Sequence, residues 1–477
     1  MQQLSKQANN KTEKQNKQPA KKVSNKLGKL PNTARGAALA VLGEVLAEGA
    51  YTNIAINKYL RTHQLESMER RLFTELVYGT VKALGTIDWY LAQCVSRPLE
   101  QLEKNVLNIL RLSAYQLLYM ERIPAAAACN EAVKLTRCVS HEGSAKLVNA
   151  VLRGLLRKQQ AGEISLPNPQ VDDAGYLALK YYHPRWLVKR WLGPWGRAGT
   201  EALLAFNNTS APVCLRTNTL VTTRERLLAE LAAAGAEAAP SRWCSDGIIV
   251  SRLGEVGLGE LLAKLPDSFY VQDESSMLVA GLLAPLPGME VLDMCSAPGG
   301  KTTHVAQLMQ NAGSITACDV HEHKLQLIAA NAARLGISII KPTLNDGTAL
   351  RAEWLAKFDR VLVDAPCSGL GVLRRRAEAR WRKQRKDLKL FPPLQLAILN
   401  NAAQYVKDGG RLVYSTCTIE QSENHYLIEE FLAKNTAWHR VPFAHTLTGE
   451  QVEELQILPQ VDGIDGFYIC VLEKRNE

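Results

Sequence analysis

No window of this chain approaches eighteen consecutive apolar residues, which excludes a membrane-spanning helix. The N-terminal MQQLSKQANNKTEKQNKQ lacks the apolar segment of a signal peptide, so the expected location is cytoplasmic. Ten cysteines, at 94, 129, 138, 214, 244, 295, 318, 367, 417 and 470, include no C-x-x-C pair and no Cys/His run at zinc-finger spacing. Disulfide scaffolding and metal sites drop out, no metal is expected, and any special cysteine acts as a reduced thiol. With 46% hydrophobic and 22% charged residues, the chain is neither disordered overall nor fibrous. Its 477 residues exceed what one hydrophobic core organises, and two or three domains are expected.

The net charge of +10 is unevenly spread. Residues 1–30 carry eight lysines against Glu13, a local +7. Such a Gln/Asn/Lys-rich stretch cannot offset its ordering entropy, so residues 1–31 are read as a disordered basic tail, serving solubility or loose RNA tethering. A second cluster, Arg374 to Lys389, holds six Arg and three Lys against Glu378 and Asp387, again +7. A charge run is commonly a solvated helix face. Its place directly after a candidate catalytic loop favours contact with RNA phosphates, through Arg374, Arg375, Arg376, Arg380 and Arg382.

From Asn32 to about residue 160 apolar residues recur at helical spacing, as in Leu39, Leu42 and Leu46 or Val148, Val151, Leu152 and Leu155. This stretch reads as an all-α bundle with breaks at Arg97-Pro98 and Ile123-Pro124. Residues 161–265 read as a linker and a small α+β subdomain. From residue 266 to 477 apolar runs ending in an acid or a turn alternate with helices: Val291 to Asp293, Ile315 to Asp319, Val361 to Asp364 and Leu412 to Ser415. That alternation predicts a doubly wound α/β sheet, whose ligand binds at the carboxyl ends of the strands.

The chemistry-bearing residues stand at those ends. Asp293-Met294-Cys295-Ser296-Ala297-Pro298-Gly299-Gly300-Lys301-Thr302 follows the first strand, with glycines that admit close backbone approach and a helix start that leaves N–H groups open. A phosphate-binding P-loop would need glycine where Cys295 stands. Asp319 closes the second strand where an acid can hold a ribose diol, although alone it would be read as a turn residue. Asp364-Ala365-Pro366-Cys367-Ser368-Gly369 and Tyr414-Ser415-Thr416-Cys417-Thr418 bring two thiols and a carboxylate to one sheet edge. One cysteine after a buried strand is ordinarily packing; two beside a carboxylate and a glycine-rich loop point to a covalent thiolate nucleophile.

These motifs, with Asp465-Gly466-Phe467-Tyr468, closely resemble the RNA cytosine-C5 methyltransferases of the NOL1/NOP2/Sun family. Arg216 to Leu220 and Gln272 to Ser276 look like that family's N-terminal extension, and Arg70 to Gly79 with Leu147 to Arg153 resemble a NusB-type RNA-binding domain. The likeness spans roughly residues 32–477. It implies a multi-domain fold: an all-α NusB-like bundle over 32–160, the α+β subdomain as an insertion, and a Rossmann-like S-adenosylmethionine-dependent methyltransferase over 266–477. Members that combine these parts methylate small-subunit (16S) rRNA, so 16S rRNA is the implied partner, with no DNA and no membrane, and a monomer is expected. Carried over residue by residue, Cys295, Ser296, Ala297, Pro298, Gly299, Gly300, Lys301, Asp319, Asp346 and Asp364 would hold the cofactor. Cys417 matches the nucleophile, Cys367 the thiol that assists product release, and Asp364 also contacts the base. The competing readings are a non-catalytic rRNA-binding assembly factor, which would need neither thiol, and a DNA cytosine methyltransferase, in which the Pro366-Cys367 thiol would attack.

Overall fold

The computed structural model describes residues 30–254 and 257–475, so the expected basic tail falls almost wholly outside the described residues. The chain divides into two compact units between Arg185 and Trp186. Among the described residues no helix is long and apolar enough to cross a membrane.

The first unit is helical throughout: α1 (Ala34–Ala47), α2 (Thr52–Thr62), α3 (Ser67–Lys82), α4 (Leu84–Ala92), α5 (Lys104–Tyr119), α6 (Ala125–Val139), α7 (Glu142–Gln160) and α8 (Asp173–Lys180). Thr33 caps α1 by accepting the Gly36 N–H at 3.3 Å, and Pro124 stands immediately before α6, where a missing N–H is harmless. Gly79 lets α3 approach α5, because a Cβ there would lie 1.9 Å from the Tyr115 ring. One more helix lies between residue 160, where the helical bundle was expected to end, and the division at Arg185. Asp172 caps α8 through the Gly175 N–H, and the Leu179 carbonyl accepts from Thr86 Oγ1 of α4 at 2.8 Å, which ties residues 173–180 to the helices.

All but the first residue of α9 (Arg185–Phe206) belongs to the second unit, and this helix is kinked at Gly196, where φ is +61° just after Pro194. A small layer follows: β1 (Val213–Thr217), α10 (Arg224–Ala233), β2 (Glu237–Pro240), β3 (Gly247–Arg252), α11 (Leu258–Lys264) and β4 (Phe269–Val271). Its antiparallel strand order β2-β3-β1-β4 with two helices is the split βαβ, ferredoxin-like arrangement. β4 closes this layer by pairing with β1, opposing Tyr270 to Arg216.

After α12 (Glu274–Leu283) come β5 (Glu290–Asp293), α13 (Gly300–Leu308), β6 (Ser314–Asp319), α14 (Glu322–Arg334), β7 (Ile340–Leu344), β8 (Phe358–Asp364), α15 (Phe391–Tyr405), β9 (Val406–Thr416), α16 (His425–Lys434), β10 (Trp438–Arg440), β11 (Glu454–Ile457) and β12 (Phe467–Lys474). They build an eight-stranded sheet of order β10-β12-β9-β8-β5-β6-β7, with β11 also on β12. Strands β9, β8, β5, β6 and β7 are parallel, and β10, β11 and β12 join antiparallel. Alternate residues serve opposite faces: Val361, Val363, Leu412 and Tyr414 enter one core cluster, Leu362 and Val413 the other. All four expected strands are present. The edge strand β7 escaped the sequence pattern because it is largely exposed and contains Pro342, which an edge tolerates. Strand order reverses between β5 and β8, so the carboxyl ends carrying Asp293 and Asp364 stand side by side at the switch point, where ligands of such sheets bind.

Candidate active site

The turn after β5 is built for close approach. Gly299 takes φ +101°, a left-handed conformation that favours glycine, and α13 begins at the next residue. Ser296 Oγ donates to the Cys318 carbonyl of β6 at 2.8 Å, which fastens the turn to the neighbouring strand. Asp293 beneath it is fully buried, accepts from Thr302 Oγ1 at 2.6 Å, and is pushed up to about 7 by burial.

Arg216 of β1 reaches the first turn of α13 although buried completely. It donates to Gln307 at 2.7 Å, to the Gly300 carbonyl at 2.6 Å and to Thr303 Oγ1 at 2.9 Å, bonds Gln272, and lies over the Tyr270 ring. Burial brings its guanidinium down to about 9. The extension motifs around Arg216 and Gln272 thus brace the glycine turn, a role their spacing did not disclose.

His304, also on α13, is 4% exposed and stands 3.6 Å from Asp246. Burial, with the Arg216 charge adding, pushes its imidazole down to about 4 against the pull of Asp246. Between that value and the ordinary 6.5 the unfolded chain binds a proton that the folded chain refuses, so stability is full above pH 6.5 and falls toward pH 4. This loss is about 3 kcal/mol. Unfolding free energies of the protein and His304→Gln should therefore diverge by that amount between pH 7 and 4; a difference independent of pH would contradict the assignment.

At the end of β6, Asp319 accepts the His321 N–H at 2.9 Å and lies 3.5 Å from Lys324. After β7, Asp346 is exposed and accepts from Thr348 Oγ1 at 2.7 Å. Its neighbour Asn345 is buried, and its Nδ2 finds no partner among the described residues. An orphaned buried donor beside these carboxylates is what a bound polar ligand would satisfy.

The two thiols expected at one edge do meet: the sulfurs of Cys367 and Cys417 are 3.3 Å apart. The bond from Cys367 holds the Cys417 thiol below its ordinary range, helped by Arg376 and Lys301 against burial and the Asp364 charge. The same bond, with burial, drives Cys367 upward, so Cys417 is the more acidic of the two thiols. Lys301 Nζ is 2.7 Å from Asp364 and 5.1 Å from the centre of the Phe467 ring. Burial opposes its charge, but Asp364 outweighs that and holds the ammonium above its ordinary value. Ser415 Oγ donates to the other Asp364 oxygen at 2.9 Å.

Several residues that hold this edge carried no motif signal. Asn424 brackets the nucleophile loop, accepting from Thr416 Oγ1 at 2.6 Å and donating to the Thr418 carbonyl at 3.0 Å. Gln395 donates to the Pro366 carbonyl and Glu423 accepts the Ser368 N–H, each at 2.9 Å, which fixes Cys367 from both sides.

The basic run does not form one outward stripe. Arg374 and Arg375 turn inward onto Asp465, at 2.6 Å each, and the Arg374 side chain is only 6% exposed. Arg380 is wholly buried and donates to Asn208 at 2.9 Å and to the Asn207 carbonyl at 3.1 Å. Of these three, expected on RNA, Arg374 and Arg375 are engaged by Asp465, because a buried carboxylate needs a paired charge, and Arg380 by the Asn207–Asn208 segment. Arg376, Arg385, Lys386 and Lys389 are exposed and Arg382 is half-buried.

A family model described as 16S rRNA methyltransferase RsmB/F matches residues 280–473, a NusB family model residues 32–157, and a ferredoxin-like domain of RsmF/B-like methyltransferases residues 183–257. The probable ribosomal RNA small subunit methyltransferase B of Bacillus subtilis is 36% identical over 453 residues, 93% of this chain and 99% of its own. The Escherichia coli ribosomal RNA small subunit methyltransferase B is 33% identical, covering 86% of this chain and 92% of its own. Among solved structures, PH0851 matches with a TM-score of 0.81 at 27% identity over 94% of this chain and all of its own. A methyltransferase homologue from Pyrococcus horikoshii matches with 0.55 at 28% identity over 65% of this chain. Identity of this level across nearly the full length of both chains, with the three family models matched along this one, leads to one conclusion: the chain belongs to the RsmB/F family of 16S rRNA methyltransferases.

Proposed function

We propose that this chain methylates C5 of a specific cytosine in 16S rRNA through a transient bond between Cys417 and C6 of the base. The observation that carries this reading is the pair of sulfurs 3.3 Å apart beside the Lys301–Asp364 ion pair. S-adenosylmethionine, the cofactor of this family, supplies an electrophilic methyl group when bound. The residues present fit it: Cys295 to Lys301 with Asp319 would hold the methionine and ribose parts, Asp346 with the orphaned Asn345 Nδ2 the adenine, and Asp364 would border the methyl-bearing end.

Cytosine C5 is too weak a nucleophile to take a methyl group unaided. Addition of the Cys417 thiolate to C6 pushes electron density to C5, which would then displace the methyl group from the sulfonium sulfur, the S–CH3 electron pair staying on that sulfur as a neutral thioether; loss of the C5 proton to solvent and elimination of the Cys417 sulfur from C6 restore the ring. Cys367, whose sulfur stands 3.3 Å from that of Cys417, would donate its proton to that sulfur as it leaves. The Asp364 carboxylate and Lys301 ammonium offer an acceptor and a donor to the polar edge of the base. The target base must leave any stack to reach the thiol, so loosely paired rRNA is the fitting substrate. Phosphate contacts fall to the outward residues of the basic run, Arg376 and Arg382 with Arg385, Lys386 and Lys389. The enzyme would act in the cytoplasm as a monomer. A non-catalytic assembly factor would have no use for the thiol pair.

The deciding measurement is bisulfite sequencing of 16S rRNA from cells with and without the gene, followed by methylation of that RNA with purified protein. One cytosine that resists conversion only when the gene is present is the expected result. Identical conversion at every cytosine would remove the C5 assignment.

A further inference from the structure

Asp465 lies in the turn before β12 and is 2% exposed. Its carboxylate accepts from Arg374 Nε at 2.6 Å and Nη2 at 3.2 Å, and from Arg375 Nε at 2.6 Å. Both arginines are themselves anchored. Arg374 lies 4.5 Å over the Phe206 ring of α9, and Arg375 donates to the Pro212 carbonyl at 3.0 Å and pairs with Asp273 at 2.9 Å. This turn therefore has little freedom to shift.

From Asp465 the contact runs through backbone alone. The Gly466 N–H donates to the Gly371 carbonyl at 2.8 Å, and the Gly371 N–H donates to the carbonyl of Cys417 at 3.1 Å. No side chain fits between these loops. A Cβ on Gly371 would lie 2.2 Å from the Gly466 oxygen and 2.9 Å from the Cys417 oxygen, and one on Gly466 would lie 2.9 Å from the Gly371 Cα. The residue after Gly466, Phe467, lies below the Lys301 ammonium.

We propose that Asp465 is a positioning residue for the Cys417 sulfur, anchored by Arg374 and Arg375 and acting through the Gly466–Gly371 contact on the nucleophile's carbonyl. The inference rests on Cys417 being the attacking thiol. Buried ion pairs that only stabilised the fold would affect cofactor binding and attack alike; a positioning clamp affects attack alone. A displacement of about 1 Å at a reacting atom costs roughly a hundredfold in rate.

The test uses the full chain with S-adenosylmethionine and a 16S rRNA transcript containing 5-fluorocytidine. The fluorine at C5 prevents elimination, so attack is read as a band that survives a denaturing gel. Asp465→Asn is expected to bind S-adenosylmethionine within about twofold of the unsubstituted protein and to form the adduct roughly a hundredfold more slowly. Gly371→Ala, which leaves all the charges in place, should show the same split. Adduct formation at the ordinary rate in Asp465→Asn overturns the proposal. If Asp465→Asn also loses cofactor binding, Gly371→Ala decides, and an unchanged adduct rate there overturns it. Absence of adduct at Cys417 in the unsubstituted protein would instead sink the reading of the reaction itself, and the proposal with it.

Discussion

Cys417→Ala is expected to give neither methylated RNA nor a covalent adduct, whereas Cys367→Ala should attack, transfer methyl and then stall as a stable protein–RNA complex. The asymmetry follows from the unequal acidity of the two thiols. Cys417 is the thiol made more acidic, by the contact with Cys367 and by the Arg376 and Lys301 charges. Removing it removes the nucleophile. Removing Cys367 leaves the thiolate its two cationic neighbours but takes away the S–H that stabilises it on departure, and positioned proton-donating groups of this kind are worth about 10²- to 10⁴-fold. Each variant is incubated with cofactor and rRNA, and the product is scored both for methyl incorporation and for a band that survives denaturation. A stable adduct from Cys417→Ala, with none from Cys367→Ala, would reverse the roles and favour the attack geometry of the DNA enzymes.

Gly300→Val should abolish S-adenosylmethionine binding at concentrations that saturate the unsubstituted protein, while the helical unit of residues 34–180 melts as before. A Cβ at Gly300 would stand 3.1 Å from Cε1 of Tyr270, already tighter than an ordinary contact. The Tyr270 ring cannot give way easily, since the Arg216 and Arg334 guanidinia lie over it at 5.1 and 5.8 Å. The strain falls instead on the Gly299–Gly300 turn, whose carbonyl is also the acceptor for Arg216. Overpacking at such a site costs about 1–3 kcal/mol, and the two branches of valine crowd the turn further. Calorimetric titration reads the affinity directly. An affinity within twofold of the unsubstituted protein would take the glycine turn out of the cofactor site.

The linear sequence by itself determined the helical first unit, the alternating α/β second unit and the three loops that meet at the sheet edge. These are properties of neighbours in the chain: helical and strand periodicity, proline breaks, glycines at a turn, and cysteines placed directly after apolar runs. It also pointed to Cys367 and Cys417 as partners, because parallel strands deliver their following loops to one side.

Only the tertiary structure decided which charges face water. Arg374, Arg375 and Arg380 look the same in sequence as Arg376 and Arg385, and nothing local marks Asp465, some ninety residues away, as the carboxylate that draws the first two inward. Burial of that acid without a cation would be costly, so long-range pairing overrides the solvation that a charged run otherwise seeks. The same holds for Lys301, which reads as part of a cofactor turn yet reaches Asp364, 63 positions on, and for Asn424 and Glu423, which hold the two cysteine loops from a third segment. Periodicity reports which face of an element is apolar; it carries no record of which distant polar group satisfies a buried one, and such pairing makes one of the two thiols more acidic than the other.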